Sequence, residues 1–94
     1  MQVRWTPAAA ADLQSISDYL IEHLPSLSHS TINQVYDAIR SLKSMPNRGR
    51  RGAEPGTREL VVNRLPYIVV YRVKDEAVEI LRILHAAQSR RSSS

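Results

Sequence analysis

An α+β domain, with a two-helix hairpin packed on one face of a mostly antiparallel sheet in the order β-α-α-β-β-β, is the fold class that this 94-residue sequence predicts. Three observations lead there. Residues 7–22 and about 28–42 space their apolar side chains as a helix does, and residues 57–84 switch to a period of two. Between them, NRGRRGAEPG holds no apolar residue larger than alanine. A helical layer has a stripe to hide and a meander has a face to cover, and packing one on the other satisfies both.

Gln2 to Trp5 is a short strand expected at a sheet edge. Thr6-Pro7 then starts a helix, with Thr6 as the N-cap and Pro7 at the first helical position, where a missing N–H costs nothing. The helix is expected from Pro7 to about Glu22: Ala9, Leu13, Ile16 and Leu20 recur at i+4 and i+3 and build one stripe, with Asp12, Gln14, Ser15 and Asp18 mostly off it. Pro25 is expected to close it. A second helix is expected from near Ser28 to Ser30 through Ile32, Val35, Tyr36, Ile39 and Leu42, ending before Met45-Pro46. The stretch Asn47 to Gly56, with Gly49, Gly52 and Gly56 among its arginines, is expected to be an exposed loop. Thr57–Val62, Tyr67–Val73 and Val78–Leu84 are β-branched-rich runs separated by NRLP and KDEA, which predicts a three-strand antiparallel meander.

The length allows one core and one domain, assigned to residues 1–88, with 89–94 a polar basic tail. The absence of cysteine removes disulfide frameworks and thiolate metal sites and fits a reducing cytoplasm. MQVRWTPAAAADLQ lacks the plan of a signal peptide, and no apolar run reaches the ~18 residues of a membrane span, so no membrane partner is expected. The net charge of +4 favours an acidic partner, either nucleic acid or an acidic protein segment.

Arginine placement is the main clue to function. Arg58, Leu60, Val62 and Arg64 share parity and therefore a face, expected to be the one the helices leave open. Arg72 and Arg82 follow on the next two strands. A line of guanidinium groups across the open sheet is thus expected, with Arg48, Arg50 and Arg51 beside it, suited to phosphate or carboxylate. The competing reading is a solvated face on which Glu59, Asp75, Glu76 and Glu79 are partners. His85 ends the last run, where a histidine is either an acid–base group or a packed strand end, and parity sets it opposite Arg82 unless a bulge intervenes. His23 and His29 lack clustered ligands, so neither a metal nor a cofactor is expected. Trp5, Tyr19, Tyr36, Tyr67 and Tyr71 are expected in the core or at its edge, since the chain has no phenylalanine.

The series RWTPAAAADLQSISDYL, the GR-containing loop, PGTREL, LPYIVVYRV and VEILRILHAAQ resembles, from Val3 to Gln88, the RelE/ParE superfamily of bacterial type II toxins. The resemblance implies a growth-inhibiting toxin neutralised by a cognate antitoxin protein. In the RelE-like branch the toxin cleaves mRNA on the ribosome, which implies phosphate-binding and acid–base roles that Arg58, Arg64, Arg82 and His85 could fill in part, with Arg82 and His85 the catalytic candidates. In the ParE-like branch it poisons DNA gyrase without hydrolytic residues. PGTREL and VEILRILH look closer to the second branch. So do the departures from the first: no tyrosine in AAQSRR, no lysine in the loop, and Ile68 where some relatives carry a catalytic arginine. Arg48, Arg50, Arg51, Arg58, Arg64 and Arg72 are the expected contacts to target or antitoxin. A non-toxic antitoxin-binding module is the remaining alternative.

Overall fold

A computed structural model describes residues 1–86 of the chain. Its elements are β1 (Gln2–Trp5), α1 (Pro7–His23), α2 (Pro25–Ser41), β2 (Arg50–Arg51), β3 (Arg58–Val61), β4 (Tyr67–Lys74) and β5 (Ala77–His85). They form a five-stranded sheet in the order β1-β5-β4-β3-β2, with β1 parallel to β5 and every other pair antiparallel. The predicted tail lies outside the described residues, and no described helix is long and apolar enough to cross a membrane.

The local chemistry explains the helices. Thr6 caps α1, its Oγ1 accepting from the Ala9 amide at 3.2 Å and donating to the Ile80 carbonyl at 2.8 Å, so the cap also ties α1 to β5. Ala9, Leu13 and Leu20 from α1 and Val35 and Ile39 from α2 meet Leu60, Val69, Tyr71, Val78, Ile80 and Ile83 in one core. Truncating one of its isoleucines to alanine should cost about 2–5 kcal/mol. Pro25 corrects the sequence reading: it opens α2 at the first helical position instead of closing α1, and Leu24 alone joins the two helices. The second correction is β2. Two residues of the expected loop, Arg50 and Arg51, pair with Glu59 and Arg58 and extend the sheet.

The meander holds the predicted order. Its β4–β5 turn is formed by Asp75 (φ 53°) and Glu76 (φ 60°) between the paired Lys74 and Ala77, a left-handed two-residue hairpin turn. Register shifts once, because Val70 opposes Arg82 while Tyr71 opposes Ile80, which leaves Leu81 as an extra residue. That bulge lets Ile80 and Ile83, three apart, both enter the core, which strict alternation forbids.

The third correction concerns faces. Leu60 and Val62, which share parity with Arg58, are buried under the helices, whereas Val61 on the opposite parity is 50% exposed. Two apolar side chains and one guanidinium compete for the covered side, and the apolar pair wins. Arg58 therefore lies at the rim of the helix-covered face.

Candidate functional site

The segment between α2 and β3 is built around Tyr71. This ring is fully buried, and its hydroxyl donates to the Pro46 carbonyl at 2.7 Å and accepts from the Gly49 amide at 2.8 Å. Arg58, the cross-strand neighbour of Tyr71, donates to the Gly49 carbonyl at 2.8 Å and to that of Asn47 at 3.4 Å. Gly49 has to be glycine here, since a Cβ would stand 2.8 Å from the Tyr71 ring and hydroxyl and 2.9 Å from the Glu59 carbonyl. Residues 46–49 are thus fixed to the end of the sheet, with Arg48, Arg50 and Arg51 projecting exposed from them.

Several of the arginines expected to line the open sheet have partners, two of them the glutamates of the competing reading. Arg72 pairs with Glu79 at 2.6 Å and Arg50 with Glu59 at 3.1 Å, while Arg48 donates to the Ser41 hydroxyl at 2.7 Å. Among the described arginines, only Arg4, Arg51 and Arg64 make no side-chain hydrogen bond or ion pair. Of the six predicted contacts, Arg51 and Arg64 are therefore the uncommitted charges. Arg64 sits in the turn after β3 with a left-handed backbone (φ 64°), which exposes it. Arg51, next to the Arg50–Glu59 pair, lines a hollow that Val61, Leu65 and Ile68 also line. A hollow with apolar side chains and the unpaired Arg51 at its rim suits a segment that carries both apolar and acidic side chains.

Arg82 is committed elsewhere. Its Nε and Nη2 donate to the two carboxylate oxygens of Asp12 at 2.7 and 3.0 Å, and the Ile83 amide donates to the same carboxylate at 2.9 Å. On the β1 side of β5 no described strand continues the pairing past Ile80, and Asp12 supplies from α1 the acceptor a strand would have offered. Hydrogen bonding to Asp12, and then its charge, hold the Arg82 pKa above its ordinary value against a smaller opposing effect of burial. The guanidinium stays cationic and cannot trade protons near neutrality.

His85 opposes Tyr67 in register and meets its ring edge-on, at 6.2 Å between centroids. Arg82 opposes Val70, three residues away, and the bulge lies before both, so the two positions keep opposite parity on β5, although the Arg82 guanidinium reaches round the edge to Asp12. His85 lines a groove with Asp12, Tyr19, Leu24 and Tyr67. Burial, and to a lesser degree Tyr19, raise the Tyr67 phenol above its ordinary 10.0, so it remains protonated at neutral pH. Tyr71 and Tyr67 are in the core as expected; Tyr19 is not, being 57% exposed and stacked near His23. No group of three or more metal-ligating side chains occurs among the described residues.

The sequence reading missed Asp12, Tyr71 and Gly49. Asp12 had a signal: it lies three residues after Ala9 and four before Ile16, on the rim of the buried stripe, where a carboxylate needs a partner. Tyr71 and Gly49 gave none beyond their residue types.

Comparison with known proteins agrees with this architecture. The family model described as the ParE toxin of type II toxin-antitoxin system, parDE, matches residues 3–90. Toxin RelE2 of Caulobacter vibrioides is 42% identical over 87 residues, 93% of this chain and 97% of that protein. Putative toxin Y4kP of Sinorhizobium fredii is 36% identical over 87 residues, 93% of this chain and 90% of that one. Among solved structures, the chromosomal ParDE TA system from P. aeruginosa contains a chain that superposes with a TM-score of 0.82 at 31% identity, covering 90% of this chain and 95% of that chain.

Proposed function

The chain belongs to the ParE toxin family and is the toxin of a type II toxin–antitoxin system, and from that premise we propose that it arrests growth by poisoning DNA gyrase and not by cutting mRNA. The observation that carries this reading is the pair of hydrogen bonds that Arg82 donates to the two oxygens of Asp12. A nuclease needs a cation to meet the scissile phosphate and an acid–base group within reach of the same atoms. Arg82 would have to give up two charge-assisted bonds to Asp12 before it could meet a phosphate. A gyrase poison needs neither group as a catalyst. It needs an anion-seeking surface, which Arg51 and Arg64 supply.

The names of the relatives are divided between RelE and ParDE, so likeness alone leaves the target open and the site geometry tips the reading. The partner is the antitoxin of the same system, in keeping with the ParDE assembly of the solved relative. An antitoxin segment that places an acidic side chain on Arg51 and an apolar one against Val61 would occupy the surface the target requires. Binding there would silence the toxin by occlusion.

The test is induction without antitoxin, with separate measurement of gyrase-bound DNA breaks and of new mRNA 5′ ends on ribosomes. Gyrase-bound breaks without new 5′ ends are expected. The reverse outcome assigns the chain to mRNA cleavage, and unchanged colony counts with soluble toxin present assign it to antitoxin binding alone.

A further inference from the structure

We infer that Tyr71 is a positioning residue: its hydroxyl sets where the basic segment Arg48–Arg51 stands and thereby controls toxin potency without itself touching the target. This rests on the reading that the exposed arginines meet the target. Tyr71 is 0% exposed, so it can act only through what it holds. It holds two main-chain groups of one short segment, the Pro46 carbonyl at 2.7 Å and the Gly49 amide at 2.8 Å. Gly49 is itself buried, and its carbonyl takes the Arg58 guanidinium at 2.8 Å, so both polar groups of that residue are occupied.

Packing alone does not require the hydroxyl, because phenylalanine would fill the same volume and continue β4 unchanged. What phenylalanine cannot do is satisfy the Pro46 and Gly49 groups, and a buried amide without a partner drives the segment outward toward water. Arg50 and Arg51 come directly after Gly49 as β2, a strand of only two residues paired to β3. A strand that short draws its placement from its flanks. On its far side the Gly52 amide donates to the Thr57 carbonyl at 2.8 Å; on its near side Tyr71 and Arg58 are the anchors. Removing one anchor frees the arginines to sample many directions, and a surface that must order them on binding loses affinity.

The experiment compares Tyr71→Phe with Ile80→Val, a core truncation directly opposite Tyr71 in register that leaves the anchors intact. Amide exchange and the inducer dose needed for growth arrest are read for both, alongside Tm. In Tyr71→Phe the Gly49 and Arg50 amides are expected to exchange roughly tenfold faster or more, with the central β4 and β5 amides unchanged. The arresting dose should rise roughly tenfold, the same factor carried through to binding. Ile80→Val is expected to lower Tm while leaving Gly49 protection and arrest near the wild type. Wild-type Gly49 protection in Tyr71→Phe, a wild-type arresting dose, or equal loss of arrest in Ile80→Val at a similar Tm each overturns the inference. Should Tyr71→Phe not fold, the wild type decides, and a Gly49 amide that exchanges as fast as an unstructured glycine overturns it equally. If the wild-type chain itself does not arrest growth, the toxin reading falls, and Gly49 exchange still decides whether Tyr71 is an anchor.

Discussion

At the α1–β5 end of the molecule Arg82 is gripped by both oxygens of Asp12, whereas at the β2–β3 end Arg51 and Arg64 stand exposed without an ion pair or side-chain hydrogen bond. The difference lies in what the neighbouring element offers. α1 brings a carboxylate to an unpaired strand edge, and the cation and the Ile83 amide close on it together. The β2–β3 end draws mainly on main-chain carbonyls and the carboxylate of Glu59, enough for Arg58 and Arg50 but not for all the arginines there. Charge counted along a chain is therefore a poor guide to charge available for a partner. Availability depends on which arginines the fold has already used.

Reversing the free charges should have the largest effect. Arg51→Glu with Arg64→Glu is expected to raise the inducer dose for growth arrest by roughly 100-fold, since like charges facing an anionic surface cost several kcal/mol. Because both side chains are exposed, Tm should move only slightly. Arg72→Ala, which removes a cation already paired with Glu79, should change the dose far less. A stronger effect from Arg72→Ala would break the comparison.

The second test addresses the committed end. Asp12→Ala leaves the Ile83 amide without its acceptor and should cost about 1–3 kcal/mol, seen as a Tm lower by roughly 5–20 °C in a domain of this size. Arg82→Ala should cost less, about 0–1 kcal/mol, because the cation is half-exposed and exposed ion pairs are weak. If thermal unfolding shows Arg82→Ala to be the more damaging change, the Asp12 carboxylate is not what anchors this edge.

His85→Ala ranks third. Loss of the edge-on contact with Tyr67 should cost about 0.5–1.5 kcal/mol, with growth arrest retained within roughly threefold. A loss of arrest of ~10²-fold or more, accompanied by loss of ribosome-dependent cleavage, is what a missing proton-transfer group would produce and would move the chain to the nuclease branch.

The smallest expected effect is alkaline. Burial raises the Tyr67 phenol above 10.0, so the folded state binds its proton more tightly than the unfolded state does. The resulting stabilisation is complete below pH 10.0 and is lost as pH rises through the folded value. Tm measured from pH 9 upward should fall more steeply in the wild type than in Tyr67→Phe, and parallel curves would show that Tyr67 contributes nothing to the decline.

Much of the fold was legible because its signals are local. Thr6-Pro7 announced the start of α1, the Ala9, Leu13, Ile16 and Leu20 stripe gave its buried face, and β-branched runs with turn residues gave the meander. Ambiguity entered where one local signal has two readings: a proline ends one helix or begins the next, and at Pro25 it begins one. Parity told which residues share a face with Arg58 but not which face is covered, and Leu60 and Val62 decided that. A two-residue strand such as β2 carries no period to detect. The site was the least legible part, because Asp12 and Arg82 meet from 70 positions apart and Tyr71 reaches back 25 and 22 residues to Pro46 and Gly49.

Leu24, the lone residue between α1 and α2, donates its amide to the Leu20 carbonyl at 2.8 Å and its carbonyl accepts from Leu27 at 3.0 Å. The two helices consequently share a joint with no slack. Each residue added to a helix turns the rest of that helix by about 100°, so an insertion absorbed into α2 ahead of Thr31 would swing Val35 and Ile39 out of the core as a unit. Residues 43–45 offer no slack either, since the Lys43 amide donates to the Arg40 carbonyl and the Met45 amide to the Ser41 carbonyl, both at 3.1 Å. The hairpin is therefore a part in which length cannot change without turning one arm against the core.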